Sequence, residues 1–209
     1  GNYKKVLKQR NAMLRENYTD IELYNVLDET LSDYGYRIVT ERIKFIDRLS
    51  LICSEIHKGI TSGEESLKIS YKTETTNKAY FKEQLRANLP RDFLKGYTTF
   101  GPHKDYLEIS VNDKDIRVYG SQGQQRTAAL SLKLAEIELI KKETGHNPVL
   151  LLDDVLSELD KSRQKYLIET MKDVQIFVTA TGIEDELKEL LPHANIYYVD
   201  KGKVYLYNS

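Results

Sequence analysis

The chain has 209 residues, of which 40% are hydrophobic and 30% are charged, a composition typical of a globular protein with a core of its own. Its formal net charge is −1, which excludes a general attraction to nucleic acid and requires any DNA contact to come from a local patch. The single cysteine, Cys53, cannot form an internal disulfide, which indicates a reducing compartment. Its apolar neighbours favour a small buried side chain over a nucleophile.

The chain contains no apolar run long enough to span a bilayer and no signal peptide, so we expect a cytoplasmic protein without a membrane partner. It opens on Gly1 without an initiator methionine and enters a helical pattern at once. We interpret this start as that of a piece cut from a longer chain.

The first sixty residues predict two long helices. The first covers residues 3–17 and is rich in good helix formers. Asp20 is a suitable N-cap, with Leu23 at the third helical position, for a second helix that extends to about Lys58. Apolar residues in the second helix alternate three and four apart, with one skipped position and one change of phase, which predicts a helical hairpin or bundle. These residues are Tyr24, Leu27, Leu31, Tyr34, Ile38, Phe45, Leu49, Ile52 and Ile56.

The next segment combines one strand with a broken helix. Residues 65–73 alternate between apolar and polar, which predicts a half-buried strand. Residues 77–95 return to a helical pattern that Pro90 breaks or restarts. The hydrophobic pattern of the sequence then changes, so we predict a helical arm at 1–96 and an α/β lobe at 97–209.

The lobe alternates strands with helices, which predicts an α/β fold with a mostly parallel sheet. Its apolar run at 149–152 is continuous, as expected for a strand buried on both faces. The predicted elements are strands 107–111 and 116–119 joined by a turn at 112–113, a helix to about 143, strand 149–152, helix 161–172, strand 175–179, helix 184–191 and a hairpin turning at 201–202.

Two adjacent carboxylates, Asp153 and Asp154, follow the apolar strand at 149–152. The carboxyl edge of a parallel sheet is where open α/β folds place their ligands. The first carboxylate can serve a divalent metal such as Mg²⁺, and the second, which points differently, can orient an attacking water. Taken alone, the pattern fits a strand followed by a solvated turn equally well.

A second motif opens the preceding helix at residues 120–127. Ser121 is a good N-cap residue, and Gly123 has no side chain, so another molecule can approach the first turn closely. The backbone N–H groups and positive end of such a helix suit an anion such as phosphate. Taken alone, an ordinary capped helix is the more common explanation.

The two motifs together resemble those of ABC-type ATPases. Residues 121–125 have the pattern Ser-x-Gly-x-Gln and resemble the signature motif, and residues 153–160 have the pattern Asp-Asp-x-x-Ser-x-Leu-Asp and resemble the Walker B and D-loop run. Their order and their separation of about thirty residues are also those of an ABC domain. Within this class the chain resembles the C-terminal portion of the RecF family, a fold of one ATPase lobe plus a helical hairpin arm. The segments that carry this resemblance are 4–14, 101–105, 121–127 and 151–160.

The resemblance implies a role for each residue of the signature segment. Ser121 and Gly123 would contact the γ-phosphate of ATP held by the opposite subunit of a homodimer. Gln122 and Gln125 would complete the same nucleotide-binding segment.

It likewise implies roles for the acidic segment. Asp153 would serve the Mg²⁺ site, and Asp154 would occupy the position of the catalytic carboxylate that polarises water. Ser157 and Asp160 would lie in the D-loop at the dimer interface.

Two departures from the ABC pattern suggest slow hydrolysis, with ATP acting as a dimer clamp. No histidine follows the strand at 175–179, where many ABC proteins carry a switch histidine, and Thr179 or Thr181 could make at most a weaker polar contact. Asp154 is also one methylene shorter than the usual glutamate.

No G-x-x-x-x-G-K-[ST] loop occurs in the sequence. In RecF proteins this Walker A loop lies N-terminal to the region that the chain resembles, so we expect the chain alone to bind ATP poorly and to hydrolyse none. The resemblance implies that the whole protein binds gapped or junction DNA in an ATP-dependent manner during DNA repair and the SOS response. Its implied partners are RecR and RecO, with which it would help to load RecA.

Two alternatives remain open. In the first, the helical arm is an interaction module that binds RecR or DNA without catalysis of its own. In the second, Asp153 and Asp154 belong to a metal-dependent phosphohydrolase, for which Glu184 or Asp185 are the only obvious further carboxylates.

Two further features have a functional and a structural interpretation. His103 lies near nucleotide or DNA in the first, or in a polar turn in the second, which we favour because a lone histidine carries little information. A basic cluster in the first helix could contact DNA phosphates or form a solvated face. It comprises Lys4, Lys5, Lys8, Arg10 and Arg15.

Overall fold

The computed structural model of the chain describes residues 1–154, 156, 159–181 and 194–206. It divides into two compact units, Gly1–Leu139 and Ile140–Ser209. The boundary that the sequence suggested near residue 97 falls inside the first unit, where a strand on either side of it pairs with the other.

Two helices open the first unit, as predicted. Helix α1 covers Asn2–Arg15 and helix α2 covers Ile21–Ile60, a length of 40 residues. The side chain of Asp20 accepts a hydrogen bond from the backbone N–H of Leu23 at 3.1 Å, which confirms the predicted N-cap.

The buried stripe of α2 follows a different course from the predicted one. Gly35, Val39 and Ile46 are buried, whereas Phe45 is 40% exposed. The buried positions of α2 therefore keep a regular helical spacing through the middle of the helix, and only one expected position is not buried. The prediction missed Gly35 because glycine carries no apolar side chain, yet a Cβ there would lie 2.1 Å from Cε1 of Phe81, which packs directly on the backbone.

Helices α3, Lys78–Ala87, and α4, Leu89–Lys95, replace the single broken helix of the sequence prediction. Asn77 caps α3 by accepting a hydrogen bond from the N–H of Tyr80, and Pro90 occupies the first turn of α4, where its missing N–H costs nothing. Gly96 ends α4 in the left-handed conformation.

A small antiparallel sheet packs on the C-terminal half of α2. Strand β1, Leu67–Lys72, pairs with β2, Tyr106–Val111, so that Leu67 faces Val111. Leu67 and Ile69 are buried toward α2, and the hydroxyl of Ser50 on that helix accepts a hydrogen bond from the N–H of Ile69 at 3.0 Å.

The strand predicted at 116–119 is wrong. After a turn with positive φ at Asn112 and Asp113, strand β3 comprises only Lys114–Asp115, and Ile116–Tyr119 forms a short helix, α5. The side chain of Asp115 accepts a hydrogen bond from the N–H of Arg117 at 2.9 Å, so it caps a helical turn and ends the strand. Helix α6, Gln122–Thr144, then begins in the first unit and ends in the second.

The described elements of the second unit include two parallel strands. Strand β4, Leu150–Asp153, pairs in parallel with β5, Ile176–Thr179, and helix α7, Lys161–Thr170, connects them, which confirms the predicted crossover. Helix α7 buries Leu167. The helix predicted at 184–191 lies outside the described residues.

Strand β4 is not buried on both faces, contrary to the prediction. The side chain of Leu151 is 74% exposed, and the sheet contains only β4 and β5 among the described residues. Strands β6, Tyr197–Asp200, and β7, Lys203–Leu206, form the predicted hairpin. Lys201 and Gly202 both have positive φ, as a two-residue hairpin turn requires.

None of the described helices combines the length and apolar character that crossing a bilayer requires.

Candidate functional site

The N-terminus of α6 is held by a reciprocal pair of hydrogen bonds. The hydroxyl of Ser121 accepts from the N–H of Gln124 at 3.2 Å, and the side-chain oxygen of Gln124 accepts from the N–H of Ser121 at 3.0 Å. This capping box satisfies two backbone donors at the helix start. Ser121 is exposed, so the geometry leaves it accessible to a ligand.

Gln125 fastens the same helix start to the preceding turn. Its side-chain amide donates to the carbonyl oxygens of Ile116 and Gly120, each at 3.2 Å. Gly120 has no room for a side chain, because a Cβ there would lie 2.5 Å from the carbonyl oxygen of Ile116. The predicted ligand residue Gln125 therefore has a structural role in shaping the helix start.

The first turn of α6 is open to an anion. Backbone N–H groups at the start of a helix, here those of Gln122 and Gly123, have no carbonyl partner within the helix. Gly123 and Gln122 are exposed, and a Cβ on Gly123 would meet only the Ser121 hydroxyl at 3.9 Å. The partial positive charge of this 23-residue helix adds to the attraction for a phosphate.

Asp153 lies where the sequence predicted, at the carboxyl end of a parallel strand. It is the last residue of β4 and pairs with Thr179, the last residue of β5. The Thr179 hydroxyl donates to Oδ1 of Asp153 at 2.5 Å. Asp153 is exposed, so its second oxygen faces a region that solvent reaches.

Asp154 begins the turn after β4 and has a φ of 54°. Its N–H donates to the carbonyl oxygen of Thr179 at 3.2 Å and to the Thr179 hydroxyl at 3.1 Å. Aspartate adopts this left-handed conformation more readily than most residues. Thr179 thus organises both carboxylate residues, whereas the sequence had left open whether Thr179 or Thr181 would supply a polar contact.

Asp160 forms the N-cap of α7. Its carboxylate accepts from the Ser162 hydroxyl at 2.7 Å and from the N–H of Arg163 at 3.1 Å, and it pairs with the Arg163 guanidinium at 2.8 Å. The Ser162 hydroxyl and the Arg163 N–H lower the pKa of this carboxyl. Ser157, the other residue assigned to this loop, lies outside the described residues.

The carboxylates fit a magnesium ion that nucleotide phosphates and water also hold. No group of three or more His, Cys, Asp or Glu side chains that could enclose a metal occurs within the described part of the chain. Mg²⁺ in phosphate-transfer sites takes one or two protein carboxylates and keeps several waters. Asp153, exposed and oriented by Thr179, is suited to that arrangement, whereas the carboxylate cage of an independent phosphohydrolase is not present in the described ranges. Glu184 and Asp185, the further carboxylates proposed for that alternative, lie outside them.

His103 is part of a structural connection. Its Nδ1 lies 2.8 Å from the Tyr3 hydroxyl and its Nε2 lies 2.9 Å from the carbonyl oxygen of Thr98. Burial lowers the pKa of the imidazole. These contacts favour the structural interpretation over a ligand contact.

Arg10 must be removed from the basic cluster proposed for DNA contact. Its side chain is fully buried and binds the carboxylates of Asp28 and Asp92, each at 2.7 Å, and the Thr98 hydroxyl at 2.9 Å. Helical periodicity alone did not reveal this, because its two acidic partners lie 18 and 82 residues further along the chain. The other four basic residues of the cluster are exposed.

One contributor to the helix start was absent from the sequence prediction. Gln124 was treated as a variable position of the signature, although the spacing Ser121-x-x-Gln124 is itself a recognisable capping-box pattern.

Comparisons with known proteins agree with the motifs. No model of a protein family matches the chain. It is 45% identical to a DNA replication and repair protein RecF from Clostridium novyi (strain NT) over 206 residues, which is 97% of the chain and 57% of the relative. It is 46% identical to the protein of the same name from an Exiguobacterium species over 215 residues, or 97% of the chain and 58% of the relative.

Solved structures show the same relationship. The recombination mediator protein RecF with ATP, of the RecFOR pathway, superimposes with a TM-score of 0.83 at 34% identity, over 99% of this chain and 57% of that one. A structure from a study of SMC ATPases gives a TM-score of 0.51 at 19% identity, over 81% of this chain and 89% of that one, a likeness of fold alone.

Together with the likeness to the RecF structure, the parallel strand pair ending in Asp153 and the serine-capped helix before it give the chain the fold of the ABC- and SMC-like ATPases. Within that class the chain belongs to the RecF family. It spans a little under three fifths of the length of the relatives that it matches.

Proposed function

We propose that this chain supplies the signature and Walker B elements of a RecF-type ATPase that acts in DNA repair, recombination and replication. ATP holds two copies of the whole protein together, with the signature of one copy against the nucleotide of the other. The single observation that carries this proposal is the exposed, serine-capped start of α6, whose free amides and accessible hydroxyl suit a phosphate group.

The hydrogen bonds of Ser121 set what that residue can offer a phosphate. Its N–H is taken by Gln124, and its hydroxyl oxygen accepts from the Gln124 N–H. The hydroxyl hydrogen is not used in either bond and can donate to an oxygen of the γ-phosphate. Gly123 allows that phosphate to approach the N–H groups of the first turn.

The carboxylates perform the remaining tasks at the edge of the sheet. Magnesium, when bound with ATP, neutralises charge that develops on the phosphates. Asp153 is the residue of this chain that would hold it, through the carboxylate that Thr179 orients. Asp154 would accept a hydrogen bond from the attacking water and orient it. Ser157 and Asp160 would contribute to the interface between the two copies.

Slow hydrolysis follows from the groups at this edge. Thr179 replaces the switch histidine of many ABC proteins, and a hydroxyl neither carries nor relays a proton as readily as an imidazole. Asp154 is shorter than glutamate and adopts a left-handed turn, so its carboxylate extends less far toward the attacking water. A clamp that opens slowly suits a protein that must stay on DNA while partners assemble.

The family resemblance supplies the partners and location in this proposal. The solved RecF structures support its coarser part, since they are of a recombination mediator protein in the RecFOR pathway. The whole protein would act in the cytoplasm on gapped or junction DNA with RecO and RecR, and help to load RecA. The residues described here contain no Walker A loop, so ATP binding and hydrolysis require the remaining length of the protein.

Mixing two inactive variants of the full-length protein tests whether the site is shared between copies. Gly123→Asp places a carboxylate where the phosphate should approach, and Asp154→Asn removes the water-orienting carboxylate. Each variant alone should lack ATPase activity. In a mixed dimer, one of the two sites carries both defects and the other carries neither. Equal mixing makes about half of the dimers mixed, so about a quarter of the wild-type activity should return.

The control is Lys8→Gln mixed with Asp154→Asn, because Lys8 is exposed on α1, away from both motifs in sequence. Full activity of Gly123→Asp on its own, or the absence of any recovery on mixing, would contradict a signature that acts on the nucleotide of the opposite copy.

A further inference from the structure

A chain of hydrogen bonds links the end of α2 to the signature serine. Nε2 of His57 lies 3.1 Å from Oε2 of Glu65, and Oε1 of Glu65 accepts from the side-chain amide of Gln124 at 2.8 Å. The other end of the Gln124 amide accepts from the N–H of Ser121 at 3.0 Å. All four residues belong to the first unit.

The direction of each bond is determined by chemistry. An ionised glutamate only accepts hydrogen bonds, so Nε2 of His57 donates to Glu65 and the NH₂ group of Gln124 does the same. The oxygen of Gln124 is therefore the atom left to accept from Ser121, which agrees with the capping box. Glutamine is the side chain that can receive from the serine and donate to a carboxylate at once.

The connection starts from an anchored group. His57 is fully buried in the last turns of α2, and its Nδ1 lies 2.9 Å from the hydroxyl of Ser131 on α6. The Glu65 side chain is 20% exposed and lies between α2 and β1. Hydrogen bonds to a charged group in such partly buried surroundings are stronger than exposed ones.

We infer that Glu65 and Gln124 are positioning residues for Ser121, and that through His57 they couple the C-terminal end of the long arm helix to the nucleotide-contacting end of α6. Gln124 holds Ser121 so that its hydroxyl hydrogen faces outward, and Glu65 prevents Gln124 from turning away. This inference rests on the proposed function, because Ser121 is a nucleotide contact only there. A movement of α2 that displaces Glu65 would release Gln124 and weaken the signature contact.

A reversal of the hydrogen bond between the two residues provides the test. Gln124→Glu retains an oxygen that could accept from the Ser121 N–H, but it sets a carboxylate against Glu65, and the repulsion turns the side chain at position 124 away from its place in the capping box. Glu65→Gln presents one oxygen to two donors, so it cannot serve both His57 and Gln124. The double variant Glu65→Gln/Gln124→Glu restores a donor opposite an acceptor, with the amide at position 65 donating and the carboxylate at position 124 accepting.

Two measurements separate positioning from nucleotide binding. Amide hydrogen exchange of the Ser121 N–H, measured on the full-length protein without nucleotide, should become about tenfold faster in each single variant and recover in the double variant. ATP-dependent dimerisation of the full-length protein, measured by sedimentation, should weaken about tenfold in each single variant and recover likewise. Glu64→Gln, the same change on a neighbouring exposed glutamate, should leave both values unchanged.

The outcomes distinguish the inference from the function on which it rests. A wild-type protein that forms no dimer with ATP overturns the proposed function, and the exchange rates still decide whether Glu65 and Gln124 hold Ser121. Normal dimerisation in both single variants, or a double variant no better than either, overturns the positioning role. Equal loss of thermal stability in all three variants, the double included, would assign the residues to folding and also overturn it.

Discussion

The hydroxyl of Thr179 donates to the carboxylate of Asp153 at 2.5 Å, across the last paired position of two parallel strands. The same hydroxyl accepts from the N–H of Asp154 at 3.1 Å, so a single side chain orients the carboxylate proposed to hold magnesium and the turn that carries its neighbour. Loss of a group that orients a metal ligand typically lowers metal affinity by about 10–100-fold.

Replacing Thr179 by valine should therefore weaken magnesium binding by the whole protein without unfolding the lobe. Valine keeps the branched shape but cannot donate to Asp153. The Mg²⁺ concentration that gives half-maximal ATP-dependent dimerisation should rise by about tenfold or more. Thr179→Ser keeps the hydroxyl, so its half-maximal Mg²⁺ concentration should stay near that of the wild type. Thr181→Val is the matched control. A Thr179→Val protein with unchanged Mg²⁺ dependence would show that the hydrogen bond is structural only.

The buried side chain of Arg10 should be essential for the stability of the first unit. It pairs with Asp28 and Asp92, all three being at most 1% exposed, and so joins α1 to α2 and α4. Arg10→Met leaves two buried carboxylates without their cation, which should cost about 3–5 kcal/mol of the free energy of unfolding. Urea denaturation followed by circular dichroism measures this loss.

Lys8→Met on the same helix is the control for Arg10, because Lys8 is exposed. Its change in unfolding free energy should stay within about 0.5 kcal/mol. Equal stabilities of the Arg10 and Lys8 variants would mean that the charge cluster contributes nothing. Adding Asp28→Asn and Asp92→Asn to Arg10→Met should recover part of the loss, since the unpaired charges are then removed.

His103 should make stability depend on pH below neutrality. Burial lowers the pKa of its imidazole from 6.5, so the unfolded chain binds the proton more tightly than the folded one. The stability that the neutral ring contributes is fully present above about pH 6.5 and is lost as the pH falls below that value. Protonation would place an N–H on Nδ1, facing the Tyr3 hydroxyl, which can rotate to accept from it. The hydrogen bond between Nε2 and the carbonyl oxygen of Thr98 would stay intact.

Urea denaturation between pH 5 and 7.5 tests the role of His103. Substitution His103→Gln should reduce the slope of unfolding free energy against pH in that window, whereas His146→Gln, a change at an exposed histidine, should not. A slope that is the same in wild type and His103→Gln would place the titrating group elsewhere.

Local patterns in the sequence predicted most of the secondary structure, because the signals act over a few residues. The cap at Asp20, the break at Pro90 and the turn at Lys201 and Gly202 all arise from side chains and backbone preferences of adjacent residues. The strand predicted at 116–119 failed for the same reason, since the apolar alternation hid the competing cap at Asp115.

The two motifs were also visible in the sequence, and the structure places Ser121 and Asp153 at exposed ends of a helix and a strand, as expected. The environment of each motif was not visible. Thr179 could be suspected because it ends the next strand, but its bond to Asp153 depends on a register that only the paired sheet defines.

The sequence by itself determined the class of the protein, the capped helix start and the strand-terminal carboxylates, since each depends on a short segment of neighbouring residues. Only the tertiary structure decided that Arg10 is a buried cation rather than a DNA contact, and that Glu65 reaches Gln124 from 59 residues away. The physical reason is that burial and hydrogen bonding between distant segments depend on how helices and strands pack. The local sequence pattern around a residue does not depend on which distant residue packs against it.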